Sequence, residues 1–373
     1  MRIRAHLTVL AGTTITIVAV SGLPAGARPL PHGPGAAAPA VSGGLLAVSA
    51  DSHTDAWAVG RLHAQQSPVV LHWDGTSWSP VTIPATVREL FGVSAISPTN
   101  AWAVGGSPGS TPPVVLHWDG SSWTTTPAPG EGAAEDVSAA SATDVWVVGT
   151  SPLERKTQAW HWNGSSVAQV PTPSPNRLIN VLSGVSARSR ADVWAVGEGS
   201  LATRTLVEHW NGTSWSHVLA PAPGQLSFLN GVTAISASDA WAVGGFNGNA
   251  VGSRVLTLHW DGTAWHHVYA PTPGPNTNSN SLEAVSAASA TDVWAVGEFK
   301  TSNGLLRTVS VHWNGTSWRR VPTPNPLGAS SLSGASAVSA TDAWAVGHTN
   351  PFGGGQVPLI LHWNGTAWTS VEP

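Results

Sequence analysis

The chain has 373 residues, a net charge of −4 and no cysteine. A mildly acidic chain without clustered Lys and Arg excludes nucleic acid as an expected partner, and the lack of thiols excludes disulfides and thiolate metal sites. The 40 Gly, 29 Pro and 21 Trp, with only 10% charged residues, describe short strands and many turns rather than amphipathic helices.

Arg2 and Arg4 precede an apolar run from Leu7 to Val20, and Ala25-Gly26-Ala27 follows. The run is shorter than the ~20 residues that span a bilayer, and the small residues fit a cleavage site. Residues 1–27 are therefore expected to be a signal peptide, and the mature protein to be secreted and extracellular. No later apolar stretch is long enough to cross a membrane. Residues 28–43 are rich in Pro, Gly and Ala and read as a flexible leader.

From residue 44 one unit repeats. It reads L-x-G-V-S-A-x-S-x-T-D-x-W-A-V-G, a variable stretch, then L-H-W-[ND]-G-[TS]-[SA]-W. The first Trp recurs at Trp57, Trp102, Trp146, Trp194, Trp241, Trp294 and Trp344, and the His-Trp pair ends at Trp73, Trp118, Trp162, Trp210, Trp260, Trp313 and Trp363. Spacings of 44 to 53 residues are those of a propeller blade. The expected fold is all-β, a seven-bladed β-propeller with four antiparallel strands per blade. Blades are placed near 44–88, 89–132, 133–179, 180–227, 228–280, 281–329 and 330–373. Each unit runs through its strands a to d in order, so the ring is expected to close by packing the first blade on the last, without an exchanged strand.

Small residues suit strand a as the innermost. Thr-Asp and its variants between a and b are expected to close a turn on their own backbone. Asn-Gly or Asp-Gly between c and d predicts a two-residue type I′ hairpin. Around Asp74-Gly75 that register sets Trp73 against Thr76, His72 against Ser77 and Leu71 against Trp78. In unit three Val167 replaces the last Trp, and a Trp appears at its expected partner, Trp160. The pair Trp160–Val167 then exchanges the places of Leu71 and Trp78 while filling the same gap. Glu208, opposite Trp215 in this register, fits no rule of the repeat.

This strand order puts the a–b and c–d turns on one nearly constant face and the b–c and d–a connections on the other. The second face varies: from Gly to His across b–c, units one to four take 12 residues and units five to seven take 15. Binding groups concentrate on such loops. The candidate ligand residues near the axis are Arg61, Glu135, Glu198, Asn230, Glu283, Glu298 and His348. A competing reading pairs the acids with bases, Glu198 with Arg204 and Glu298 with Arg307. The seven repeat His invite a metal, but one per blade spreads them too far for bonds of ~2 Å. They are expected to be structural, between blades and opposite small Ser or Ala. Trp57, Trp73 and Trp78 are expected core residues. Asn163, Asn211, Asn314 and Asn364 begin glycosylation sequons, yet each is required by its turn.

The Ala-Val-Gly-Gly runs at 103–106 and 242–245 resemble kelch repeats of the galactose-oxidase type, and Leu-His-Trp-Asp-Gly-Thr-Ser-Trp at 71–78 resembles repeats of fucose-binding seven-bladed bacterial lectins. Both resemblances cover residues 44–373 and imply a propeller. A copper-radical oxidase site needs Cys and two Tyr, whereas Tyr269 is the sole Tyr. A sialidase needs a Tyr nucleophile and an Arg triad, and Asp74-Gly75 lacks Asp-box spacing. Neither a P-loop nor a Ser nucleophile elbow is present. The expected function is a secreted, monomeric, non-enzymatic binding propeller, lectin-like, recognising glycan or extracellular protein without cofactor or metal. One alternative is a polysaccharide hydrolase or lyase using the Glu residues of the variable face. Another is an interaction scaffold without a small ligand.

Overall fold

The computed structural model describes residues 43–61, 68–106, 112–151, 155–176, 178–199, 204–248, 252–275, 279–326, 328–351 and 354–373. The expected signal peptide, residues 1–27, and all but the last residue of the expected leader lie outside them. The described chain is all-β: seven sheets, each of four antiparallel strands in the order a-b-c-d. Blade 1 is built from Gly44–Ser52, Asp55–Arg61, Pro68–Trp73 and Trp78–Pro80. Its successors repeat that plan on strands a at Leu90–Ser97, Ala133–Ser141, Asn180–Ser189, Leu226–Ser236, Asn280–Ser289 and Ala329–Ser339.

Strand a lines the axis, each copy packing on strand a of the next blade and the seventh on the first. As the inner edge of its sheet it leaves every second N–H without a ladder partner. The repeat's Ser supplies the acceptor. Ser49 Oγ takes the N–H of Ala95, Ser94 that of Ala139 and Ser138 that of Ala187, at 2.9–3.1 Å. At the closing seam Ser336 Oγ takes the N–H of Ala50 at 2.9 Å. Side chains are small here because neighbouring backbones nearly touch: a Cβ on Gly334 would lie 2.9 Å from Ala47 Cα.

The core is seven inter-blade clusters rather than one centre. In six of them the strand-b Trp of one blade meets the strand-c and strand-d Trp of the next; at the seam of blades 2 and 3 Trp102 meets Trp162, with Val167 in the strand-d place. Trp57 lies 4.9 Å from Trp118 and edge-on to Trp123 at 5.1 Å. Trp344 of blade 7 repeats this with Trp73 and Trp78 of blade 1, at 5.0 and 5.2 Å. The ring therefore closes on the same aromatic wedge as five of the other six seams. All seven strand-b Trp are buried, and such edge-to-face contacts add to area burial.

The c–d register differs from the sequence expectation. Trp73 opposes Trp78, His72 opposes Ser79 and Leu71 opposes Pro80. The connection is a four-residue loop, because Asp74 Oδ1 accepts the N–H groups of Thr76 and Ser77 and the Thr76 hydroxyl, at 2.7–2.9 Å. Only Gly75 adopts positive φ, +92°, whereas a type I′ turn needs it at both central residues. A Cβ on Gly75 would also press on the Thr54 side chain at 3.0 Å, so the c–d loop rests on the a–b turn. Trp160 and Val167 are accordingly not cross-strand partners: Trp160 opposes Gln169, and Val167 opposes Trp162. They still fill one cluster, with Trp102 of the preceding blade. The exchange of bulk is real and acts through the seam rather than the ladder.

The repeat His is structural, but within its blade rather than between blades. His72 Nε2 donates to Asp55 Oδ1 at 2.6 Å, and its ring stacks on Trp57 at 4.2 Å. The other blades repeat the bond at 2.6–3.1 Å, with Asn100 replacing Asp in blade 2. The Asp after the a–b turn thus serves the His. The turn itself is tied by Ser52, whose Oγ accepts the Thr54 N–H at 3.4 Å.

Candidate functional site

Each strand a carries a bulge near its start, between Leu45 and Ala47 in blade 1 and at the matching place in every other blade. The residues in the bulges are Leu46, Phe91, Glu135, Ser183, Asn230, Glu283 and Ser333. A bulged residue has no cross-strand partner and turns its side chain out of the regular pleat. Seven side chains of five kinds therefore ring the axis at one level, on an otherwise uniform scaffold. Strand b ends beside them, with Arg61 opposite Gly44, Glu198 opposite Val181, Glu298 opposite Ser281 and His348 opposite Ser331.

The sequence-selected residues are spread one or two to a blade. Of the sequence-selected carboxylates, Glu283 and Glu298 share blade 6: Ser281, opposite Glu298, donates its hydroxyl to Glu283 Oε1 at 2.6 Å. Arg61 reaches across a seam to Glu89 Oε2 at 3.3 Å. His348 meets the Ser331 hydroxyl at 3.1 Å. Asn230 is 8% exposed and donates from Nδ2 to the Leu282 carbonyl at 2.9 Å, which makes it a tie between blades 5 and 6. Arg307 donates to the Gly328 carbonyl at 2.6 Å. Among the described residues no group of three or more His, Cys, Asp or Glu is placed to hold a metal.

Two acids at this mouth escaped the sequence reading. Glu89 lies in a d–a connection, outside the repeat's fixed positions, and carried no periodic mark. Asp136 did: the matching residues are Gly92, Gly184, Gly231 and Gly334, with Ala47 and Ala284. Its Oδ1 accepts the N–H of Val137 at 2.9 Å and its Oδ2 that of Val185 in blade 4 at 2.8 Å. Removal from water pushes the carboxyl up to about 7, and the charge of Glu135 adds to the rise. Glu135 and Asp136 together form an acidic spot on the axial side of blade 3.

No family model and no curated protein matches the chain. Solved structures do. A YCF48 structure with bound D1 peptide superposes with a TM-score of 0.56 at 16% identity, covering 87% of this chain and 92% of that one. A GH74 xyloglucanase from Xanthomonas campestris gives 0.58 at 10% identity over 83% of this chain and 52% of its own. A PL25 ulvan lyase gives 0.55 at 9% identity over 89% and 96%. At these identities the likeness is one of fold: the chain is a seven-bladed β-propeller, similar in architecture to peptide-binding and polysaccharide-processing proteins.

Proposed function

We propose that the protein is an exported, non-enzymatic binding propeller that recognises a glycan or protein ligand on the face of its b–c and d–a connections. The observation that carries this reading is the ring of bulged strand-a residues. The scaffold repeats its Trp, His, Asp and Ser sevenfold, yet at one axial level it presents Leu46, Phe91, Glu135, Ser183, Asn230, Glu283 and Ser333. A purely structural ring has no need of five kinds of side chain there. Structural neighbours that hold a peptide or act on polysaccharides support the idea that this architecture serves either ligand class. Candidate contacts are Arg61, Glu135, Glu198, Glu283, Glu298 and His348, with Asn230 holding the rim in shape.

The test is an array of glycans and secreted proteins probed with the full chain, then with Glu135→Ala and Glu283→Ala. Binding lost in both variants supports the axial mouth. An array without binders would leave the interaction-scaffold reading in place.

A second reading, a polysaccharide hydrolase or lyase, draws on Glu283 and Glu298 in one blade. Replacing Glu198, Glu283 and Glu298 with Gln decides it: unchanged turnover on a polysaccharide panel removes this reading.

A further inference from the structure

The sevenfold repeat is its own internal control, because departures from it can be located in space. On strand c two positions per blade face the preceding blade, the equivalents of Val69 and Leu71. Of these fourteen, twelve are Val, Leu or Trp; the two polar residues are Gln158 and Glu208. They lie in different blades and face different seams. Gln158 lines an open cleft of about 300 Å³ on strands c and d of blade 3, and Glu208 lies behind its wall, against the lining residue Thr157.

Gln158 and Gln169 line that cleft from one face of the strands, and Thr157, Val170 and Thr172 from the other, with Pro171 and Lys156 beside them. Gln158 Oε1 is buried and has no hydrogen-bond partner. A Cβ on Gly132 would fall 2.0 Å from that oxygen, and one on Gly130 would fall 2.8 Å from Gln169 Oε1. The connection from blade 2, with two glycines at φ +83° and +152°, is thus shaped around the two amides. On the other side Thr157 Oγ1 donates to Thr172 Oγ1 at 2.8 Å and lies 3.3 Å from Glu208 Oε1. Glu208 is fully buried, and its Oε2 has no partner either. Two buried acceptors without donors, replacing aliphatic side chains beside one cleft, are costly for a scaffold. Retained breaches of a local rule gather at functional sites.

We propose that this cleft is a second ligand site, separate from the axial mouth, that takes one pyranose unit of a neutral saccharide. The amides of Gln158 and Gln169 are suited to sugar hydroxyls, which donate and accept as carboxamides do. Val170 and Pro171 offer an apolar patch to the C–H face of the ring, and the volume is at the small end for ligand pockets.

Saturation-transfer NMR of the full chain with a panel of neutral methyl glycosides tests the site, because it detects weak binding. At least one glycoside is expected to receive saturation. Gln158→Leu, which restores the repeat's own residue type, is expected to weaken its affinity by about ten-fold or more, as loss of a hydrogen bond to a buried group does. Gln169→Ala, at an exposed position, is expected to weaken it without touching the core. Glu283→Ala at the axial mouth is expected to leave it unchanged. Absence of saturation for every glycoside overturns the proposal, as does full binding in both Gln variants. Loss with Glu283→Ala but not with the Gln variants also overturns it, and assigns the sugar to the axial mouth instead.

Discussion

Glu208 is the most exacting place to perturb this scaffold, because a carboxylate stands where the repeat has Leu. Burial raises it from 4.5 to about 7, while Thr157 and the Ser174 backbone pull the other way. At 1.36 kcal/mol per pH unit, the folded state then favours the protonated form by about 3 kcal/mol. The folded chain keeps this proton where the unfolded chain releases it, so its contribution to stability falls as pH rises from about 4.5 to about 7. Glu208→Gln keeps the shape and an acceptor for Thr157 but cannot ionise. Its stability relative to the parent should therefore rise by about 3 kcal/mol between pH 4.5 and pH 8. Urea unfolding of both proteins at pH 4.5, 6 and 8 measures that difference. Asp136 titrates in the same direction but is present in both, so it cancels. His217, opposite Glu208, is pushed down by partial burial and is neutral in the upper half of the window. A difference that is flat with pH, or that falls as pH rises, would refute the reasoning.

Four other sets of substitutions probe separate parts of the account. Gly75→Ala meets both positive φ and the Thr54 side chain; it should cost about 1–2 kcal/mol, while Gly355→Ala, with open space around it, should be neutral in the same denaturation assay. Ser336→Ala and Ser286→Ala each strip the acceptor from an inter-blade N–H. Both should lose about 1–3 kcal/mol, and a silent Ser336→Ala would show that the closing seam is held otherwise. Val167→Trp overfills a seam already occupied by Trp160, and Trp160→Leu empties it. Each alone should cost about 1–4 kcal/mol, and the double variant, which restores the repeat, should recover most of the loss in a double-mutant cycle. Asp51 is raised to about 6 by burial and by its bond to Asp55. Asp51→Asn should therefore gain stability over the parent as pH rises from about 4 towards 6 and keep it above, read from melting temperatures across that range.

Strand number, strand order and the aromatic seams were legible because one pattern recurs seven times, and a Trp that returns at blade spacing has little choice but to pack against the next blade. Register was harder. Asp74-Gly75 alone suggests the two-residue turn, but the residue after it carries a hydroxyl in every unit, from Thr76 to Thr366. That hydroxyl bonds the Asp or Asn side chain and marks the longer loop. The Asp55–His72 bond joins residues 17 apart in chain, and Asp is so common in turns that its partner went unseen. The axial candidates were found by counting from the repeat, which located Glu135 and Glu283 but not the bulge that re-aims them. Asp136 was visible as an acid in a run of Gly. One of its two backbone donors, Val185, comes from the neighbouring blade and has no trace in local sequence.

The central claim is that the axial ring of unlike side chains binds a ligand. Its most direct test is affinity for the strongest array binder, compared between the parent chain and a variant with Glu135 and Glu283 both changed to Ala. The account predicts a fall of about ten-fold or more in the folded double variant, the two half-buried side chains being removed without unfolding it. Equal affinity in the two proteins would contradict it.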